Sequence, residues 1–193
     1  MRRTVLVILS FGLLVAVSQP AWAVTTVSIV DFAFSQSPVR ISQGEDVRWH
    51  NDGSFTHTST QDGPLSLWNT GQVASGATSK SVPLPAAGSY PYHCNIHASM
   101  HGVVKVPIKV APATGTPMTT FTIALASAGQ TGFTYDVQRK IGGGSWKLWK
   151  TGVVGTTATF SGMAGSYAFR SRLHRTSNDA TSGWSPSRSI TVA

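Results

Sequence analysis

The chain holds one cysteine, Cys94, within the stretch "YPYHCNIHASMHGVVKV" (residues 90–106), which also carries three of the six histidines. Cys94 and His97 form C-x-x-H, and Met100 follows three residues after His97. A strand that feeds a tight loop can turn all three side chains toward one point. A thiolate, an imidazole and a thioether are soft to intermediate donors, the mix that selects copper over magnesium or calcium. A second imidazole is still needed, and "SFTHTST" offers His57 on a loop just past the strand "DVRWHND". His50 is the nearer alternative, but it alternates with Val47 and Trp49 inside that strand, and a ligand is better placed on a loop. Two histidines and one cysteine in a plane, with a weak axial methionine, make the blue-copper electron-transfer donor set. Taken singly, Met100 reads as core filler and His97 as a surface histidine. Together, at these offsets from the one cysteine, they read as a metal site, and a metal bond protects an otherwise unpaired thiol from oxidation.

The elements that must position these residues read as strands. "VTTVSIVDFAF", "VRISQGEDVRWHND", "SYPYH" and "GVVKVPIKV" are rich in β-branched and aromatic residues, with turn signals at Gly44 and Gly53. No stretch keeps a 3.6-residue apolar period with caps, and no internal repeat relates the halves. The fold class is all-β, built as sandwiches or barrels.

The start of the chain sets the compartment. "MRR", the apolar run Thr4 to Val17 and "SQPAWA" match a secretory leader over residues 1–23, cleaved after Ala23. An apolar run of 14 residues falls short of the ~20 that span a bilayer. The expected location is therefore the periplasm or outside the cell, with no membrane span. Between Val24 and Pro112 five basic residues balance five acidic ones; from Ala113 to Ala193 eight basic residues face two acidic ones, net +6. This asymmetry predicts two units with different partners, joined by a linker over 111–117, "APATGTP".

"GSYPYHCNIHASMHGVVKV", with "FTHTST" upstream, resembles the cupredoxin family, the plastocyanin-like and amicyanin-like blue copper proteins, over residues 24–110. The resemblance implies a Greek-key cupredoxin β-barrel of eight strands holding one type 1 copper ion through His57, Cys94, His97 and Met100. It also implies electron entry at the solvent edge of His97, here flanked by Ile96 and Ala98. Many relatives place Asn after the first histidine, where it helps to hold the cysteine loop; this chain has Thr58, a departure that bears on the reduction potential. His93 precedes Cys94 as in copper nitrite reductases, whereas multicopper oxidases place a histidine where this chain has Asn95. Nothing else resembles a catalytic site, so the expectation is an electron carrier and not an enzyme.

Residues 118–193 resemble a fibronectin type III domain, an immunoglobulin-like β-sandwich. The strands "YDVQRK", "YAFRSR" and "GWSPSRSITV" carry the resemblance, and Tyr167 is the candidate tyrosine corner; the usual tryptophan of the second strand is missing from "FTIALASA". Arg139, Lys140, Lys147, Lys150, Arg170, Arg172 and Arg175 could share one basic face or lie scattered in solvent. A shared face would dock an acidic redox partner protein; nucleic acid is not an expected partner of an exported chain, and a monomer is expected. The rival readings are a periplasmic copper chaperone or store, although Met-rich and His-rich tracts are absent, and an adhesion protein in which copper is incidental.

Overall fold

The computed structural model describes residues 23–193, so the expected leader lies, up to Trp22, outside the described residues. The first eight strands are Val24–Val30 (β1), Ala33–Phe34 (β2), Val39–Arg40 (β3), Asp46–Asn51 (β4), Thr60–Gln61 (β5), Val82–Pro83 (β6), Gly88–His93 (β7) and His101–Val106 (β8). The remainder are Lys109–Ala111 (β9), Thr114–Gly115 (β10), Phe121–Ala124 (β11), Phe133–Ile141 (β12), Lys147–Val153 (β13), Thr157–Phe160 (β14), Gly165–Arg175 (β15) and Arg188–Val192 (β16). No helix occurs among the described residues; the protein is all-β.

β1 to β8 form two four-stranded sheets, ordered β2-β1-β4-β6 and β3-β8-β7-β5. β1 runs parallel to β4 and β3 parallel to β8, while the other pairings in these sheets are antiparallel. The chain changes sheet after each of β2 to β6, the Greek-key habit of two-sheet barrels. Alternation explains the inner faces. In β4, Val47, Trp49 and Asn51 point in while Arg48 and His50 do not; in β7, Tyr90 and Tyr92 point in while His93 does not. Trp49 stacks on Trp68 at 5.7 Å and meets the Tyr92 ring at 5.3 Å. Tyr92 lies opposite Gly102, where an added Cβ would fall 2.3 Å from the tyrosine ring, so the ring fills the space a side chain would take.

β9 to β16 form a three-stranded sheet, β14-β11-β9, and a five-stranded one, β10-β16-β15-β12-β13. Phe160 is the hub of their core, with Phe121, Trp149, Tyr167 and Phe169 around it. The Tyr167 hydroxyl donates to the Met163 carbonyl at 2.9 Å, a local bond of the tyrosine-corner kind. Three of the basic residues share a pair of tryptophan rings. Arg170 lies over both Trp146 and Trp184, Arg172 over Trp184, and Lys140 over Trp146. Arg172 to Asp136 is the one Lys or Arg ion pair among the described residues.

The expected linker, 111–117, touches strands at two points. Ala111 ends β9, which pairs with β11, and β10 pairs parallel with β16. Pro and Thr disfavour a helix but are tolerated at a sheet edge, where these residues sit. The halves also share contacts beyond this segment. Ser89 and Gly183 exchange backbone hydrogen bonds at 2.9 Å each, the Ala87 amide donates to the Leu125 carbonyl at 2.8 Å, and Gln43 Nε2 donates to the Ala124 carbonyl at 2.8 Å. Arg175 donates to the Leu65 carbonyl from the other half.

Candidate metal centre

Three of the four residues expected to hold copper converge in one place: His57, Cys94 and His97 bring one donor atom each within 4.8 Å of one another. His57 Nδ1 and His97 Nδ1 are 3.1 Å apart, and Cys94 Sγ lies 4.0 Å from the first and 3.7 Å from the second. A planar three-coordinate metal with nitrogen donors at ~2.0 Å and sulfur at ~2.3 Å has edges of about 3.5 Å between nitrogens and 3.7 Å from nitrogen to sulfur. The observed triangle fits such a centre, and its chemistry is that of an imidazole-thiolate set.

His57 is fully buried on the connection between β4 and β5. Its backbone exchanges hydrogen bonds with Val73 at 3.1 and 2.8 Å. Asn51 organises the approach: its side-chain amide donates to the carbonyls of Phe55 and Val73 at 2.7 and 2.8 Å, and its Oδ1 accepts from the Gly53 amide at 3.0 Å. Asp31, on the β1–β2 turn, accepts from the amides of Ser54 at 2.7 Å and Phe55 at 3.2 Å and lies 3.7 Å from His57 Nε2. A Cβ at Gly53 would fall 2.3 Å from that carboxylate, so glycine makes the approach possible. Burial pushes the His57 imidazole below its ordinary pKa, aided by the neighbouring His97 and opposed by Asp31. Backbone donation, from Phe55 first, lowers the Asp31 carboxyl in turn. A neutral imidazole turned from its carboxylate toward the thiol is the form a metal requires.

Cys94 leaves the end of β7 and is 1% exposed. The Cys94 amide donates to the Met100 carbonyl at 3.1 Å and the Met100 amide to the His97 carbonyl at 3.0 Å, which closes the loop that carries all three residues. Met100 is as buried as Cys94 and belongs to the same core cluster. Thr58 takes up the loop-holding task. Its amide donates to Cys94 Sγ at 3.4 Å, and its hydroxyl oxygen accepts from the Asn95 amide at 2.7 Å.

The remaining histidines stand apart from the cluster. His50 bonds Thr78 at 2.8 Å and Asp52 at 3.2 Å, His93 bonds Asp62, and His174 bonds Asp179 at 3.1 Å. Around His97, the expected flank of Ile96 and Ala98 is exposed, but two phenylalanines join it. Phe32 meets the His97 ring edge-on at 5.1 Å and Phe55 at 5.3 Å, and both are about half exposed, at 53% and 52%. They arrive from the β1–β2 turn and the loop after β4. A large apolar side chain inside a polar turn, as in "VDFAF" and "GSFT", is the signal that could have found them.

No protein-family model matches the chain, and no curated protein matches its sequence. Solved structures do. The chain is similar to a point mutant of amicyanin in its reduced Cu(I) form at pH 4, with 23% identity over 47% of this chain and 86% of that one, at a TM-score of 0.39. A second amicyanin mutant, in the oxidized state, is 25% identical over 44% of this chain and 81% of its own, at 0.37. A purple cupredoxin from Nitrosopumilus maritimus is 23% identical over 44% of this chain and 98% of its own, at 0.38.

Proposed function

We propose that this chain is an exported blue-copper protein that carries single electrons, and that His57, Cys94, His97 and Met100 would hold one type 1 copper ion. The observation that carries the reading is the triangle of two imidazole nitrogens and one sulfur, with edges of 3.1 to 4.0 Å, inside a β-barrel core. Copper, when bound, supplies a one-electron couple between Cu(I) and Cu(II). The chain's own part is to keep the donors still. Cys94 is tied through Met100 and Thr58, and His57 through Val73, so little has to move when the charge changes. His97, beside Phe32 with Phe55 and Ile96 exposed nearby, is the edge at which a partner's apolar surface can approach closely.

In this reading residues 1–23 are the leader, 24–110 the copper unit, 111–117 the connection and 118–193 a fibronectin type III-like module that docks or spaces. The partner is an acidic redox protein, the location periplasmic or secreted, the working form a monomer, and the role that of a carrier and not an enzyme. Loading the purified protein with Cu(II) tests it. An intense visible sulfur-to-metal charge-transfer band should appear and vanish in Cys94→Ser; a colourless wild-type copper complex rejects the reading. Met100→Leu should keep the colour while the reduction potential rises. A chaperone or store would instead pass copper readily to an acceptor and exchange electrons slowly, which stopped-flow mixing with a redox reagent measures.

A further inference from the structure

His93 and His101 take no part in the buried cluster, yet they meet on the outer face of the second sheet. They are directly opposite in the register of β7 and β8. The Cys94 amide donates to the Met100 carbonyl, and Val103, opposite Pro91, turns its amide to Ser37 Oγ, so 94 and 100 sit at a hydrogen-bonded position of the ladder and 91 and 103 at a non-hydrogen-bonded one. The next pair, His93 with His101, is then the other kind, in which side chains come closest. Their ring centroids are 6.4 Å apart. His93 is part-buried and His101 exposed, so a hydrated ion can reach both.

Asp62 defines which nitrogen is free. Its Oδ1 contacts His93 Nδ1, and its own amide is held by the Pro91 carbonyl at 2.9 Å. A carboxylate only accepts, so Nδ1 donates to Asp62 and Nε2 is the ring nitrogen that faces away from it, open to a metal. A carboxylate behind an imidazole, fixing its tautomer and raising its basicity, is the recurring support of metal-ligating histidines. Two imidazoles that share a metal at ~2.0 Å have centroids about 5–6 Å apart. A modest rotation of the exposed His101 side chain closes the difference.

We propose that His93 Nε2 and His101 bind a divalent transition metal at a surface site separate from the buried cluster, with Asp62 orienting His93 and water completing the coordination. Imidazole donors without a thiolate suit copper(II), which by the ordinary affinity order outcompetes the other first-row divalent ions at such a site. The proposal does not rest on the electron-carrier reading, because none of its donors belongs to the His57, Cys94 and His97 set.

Copper(II) titration of the full chain, followed by calorimetry and electron paramagnetic resonance, tests it. The wild type should bind one equivalent beyond whatever the thiolate site takes up, with an ordinary nitrogen-coupled signal and no intense visible band. His93→Ala and His101→Ala should each weaken that equivalent at least tenfold and leave any thiolate band unchanged. Asp62→Asn should weaken it about tenfold, the low end of what loss of such a support costs. Identical stoichiometry and spectra in wild type, His93→Ala and His101→Ala would overturn the proposal, and so would an equal loss in His174→Ala. Failure of the blue-copper reading shows separately, as a missing visible band in the wild type.

Discussion

The two halves of this protein are built alike, from mostly antiparallel sheets around aromatic cores, and they treat polar side chains in opposite ways. Over residues 51–61 the first half takes them inside: Asn51, His57, Thr58, Ser59 and Gln61 are all buried. Nearly every group there has a named partner, such as Ser59 Oγ accepting from the Trp68 indole at 3.1 Å. His57 Nε2 stands out, buried with no hydrogen-bond partner and only the Asp31 carboxylate near it. The second half lays Arg170 and Arg172 over tryptophan rings, ties the hydroxyls of Ser182 and Ser185 to β15 amides, and buries one carboxylate, Asp136, against Arg172. The difference teaches that charge and chemistry are separate signals. A site is marked by polar groups buried at the cost of desolvation, and a high net charge marks no such site.

The largest expected effect falls in the second half. Asp136 is 4% exposed and accepts from Arg172 Nε at 3.0 Å and from its terminal nitrogen at 2.9 Å. Arg172→Ala strands that carboxylate and should cost about 3 kcal/mol, read as a lower urea midpoint. The copper spectrum should not move; a shift would break the separation between the halves. In the first half, Thr58→Val removes the acceptor for the Asn95 amide while keeping the amide bond to Cys94 Sγ. It should cost about 1–2 kcal/mol and displace both the visible band and the reduction potential, and Thr58→Ser should restore them. An unchanged band would mean that Thr58 does not hold the loop.

A smaller effect appears in alkali. Burial pushes the Tyr92 phenol up to about 12 and raises Tyr90 as well. In the unfolded chain both ionise near ~10, so above that pH the unfolded state releases protons that the folded state keeps. Stability is therefore full below pH ~10 and declines as pH rises, by up to about 1.4 kcal/mol per pH unit for each tyrosine. For Tyr92 the decline ends near its folded value of about 12. The Tyr92 hydroxyl makes no hydrogen bond of good geometry, with only a weak approach to the Trp49 indole. Tyr92→Phe should then leave denaturant stability at pH ~7 nearly unchanged and make the alkaline decline shallower. The smallest effect is kinetic. Electron transfer with an acidic partner should slow severalfold between ~0.01 and ~0.15 M salt as the Debye length shrinks from about 30 to 8 Å. Equal salt dependence with a neutral partner would detach the basic half from docking.

What the sequence made legible follows chain distance. Cys94, His97 and Met100 lie within seven residues of one another, and strand alternation placed His50 apart from His57 before any coordinates. Phe32 reaches His97, and Phe55 reaches Phe32, from loops remote in sequence, and no local pattern joins them. The role of Thr58 was unreadable for a different reason: a hydroxyl in place of an amide looks like a lost bond until its oxygen is seen to accept from Asn95. The strands within 111–117 and the contacts between the halves depend on edge pairing, which a turn-rich composition conceals.

Asp31 also determines what a designer would have to move. One carboxylate receives the amides of Ser54 and Phe55, sits against His57 Nε2, and directly precedes Phe32 in the chain. The exposed phenylalanine Phe32 and the buried imidazole of the candidate metal centre therefore hang from a single peg. Transplanting the short loop from Cys94 to Met100 into another barrel would carry Cys94, His97 and Met100 and none of this anchorage. The smallest portable unit is the loop together with the turn at Asp31 and the segment from Asn51 to Thr58, and the exposed pair Phe32 and Phe55 travels with it as a passenger that cannot be left behind.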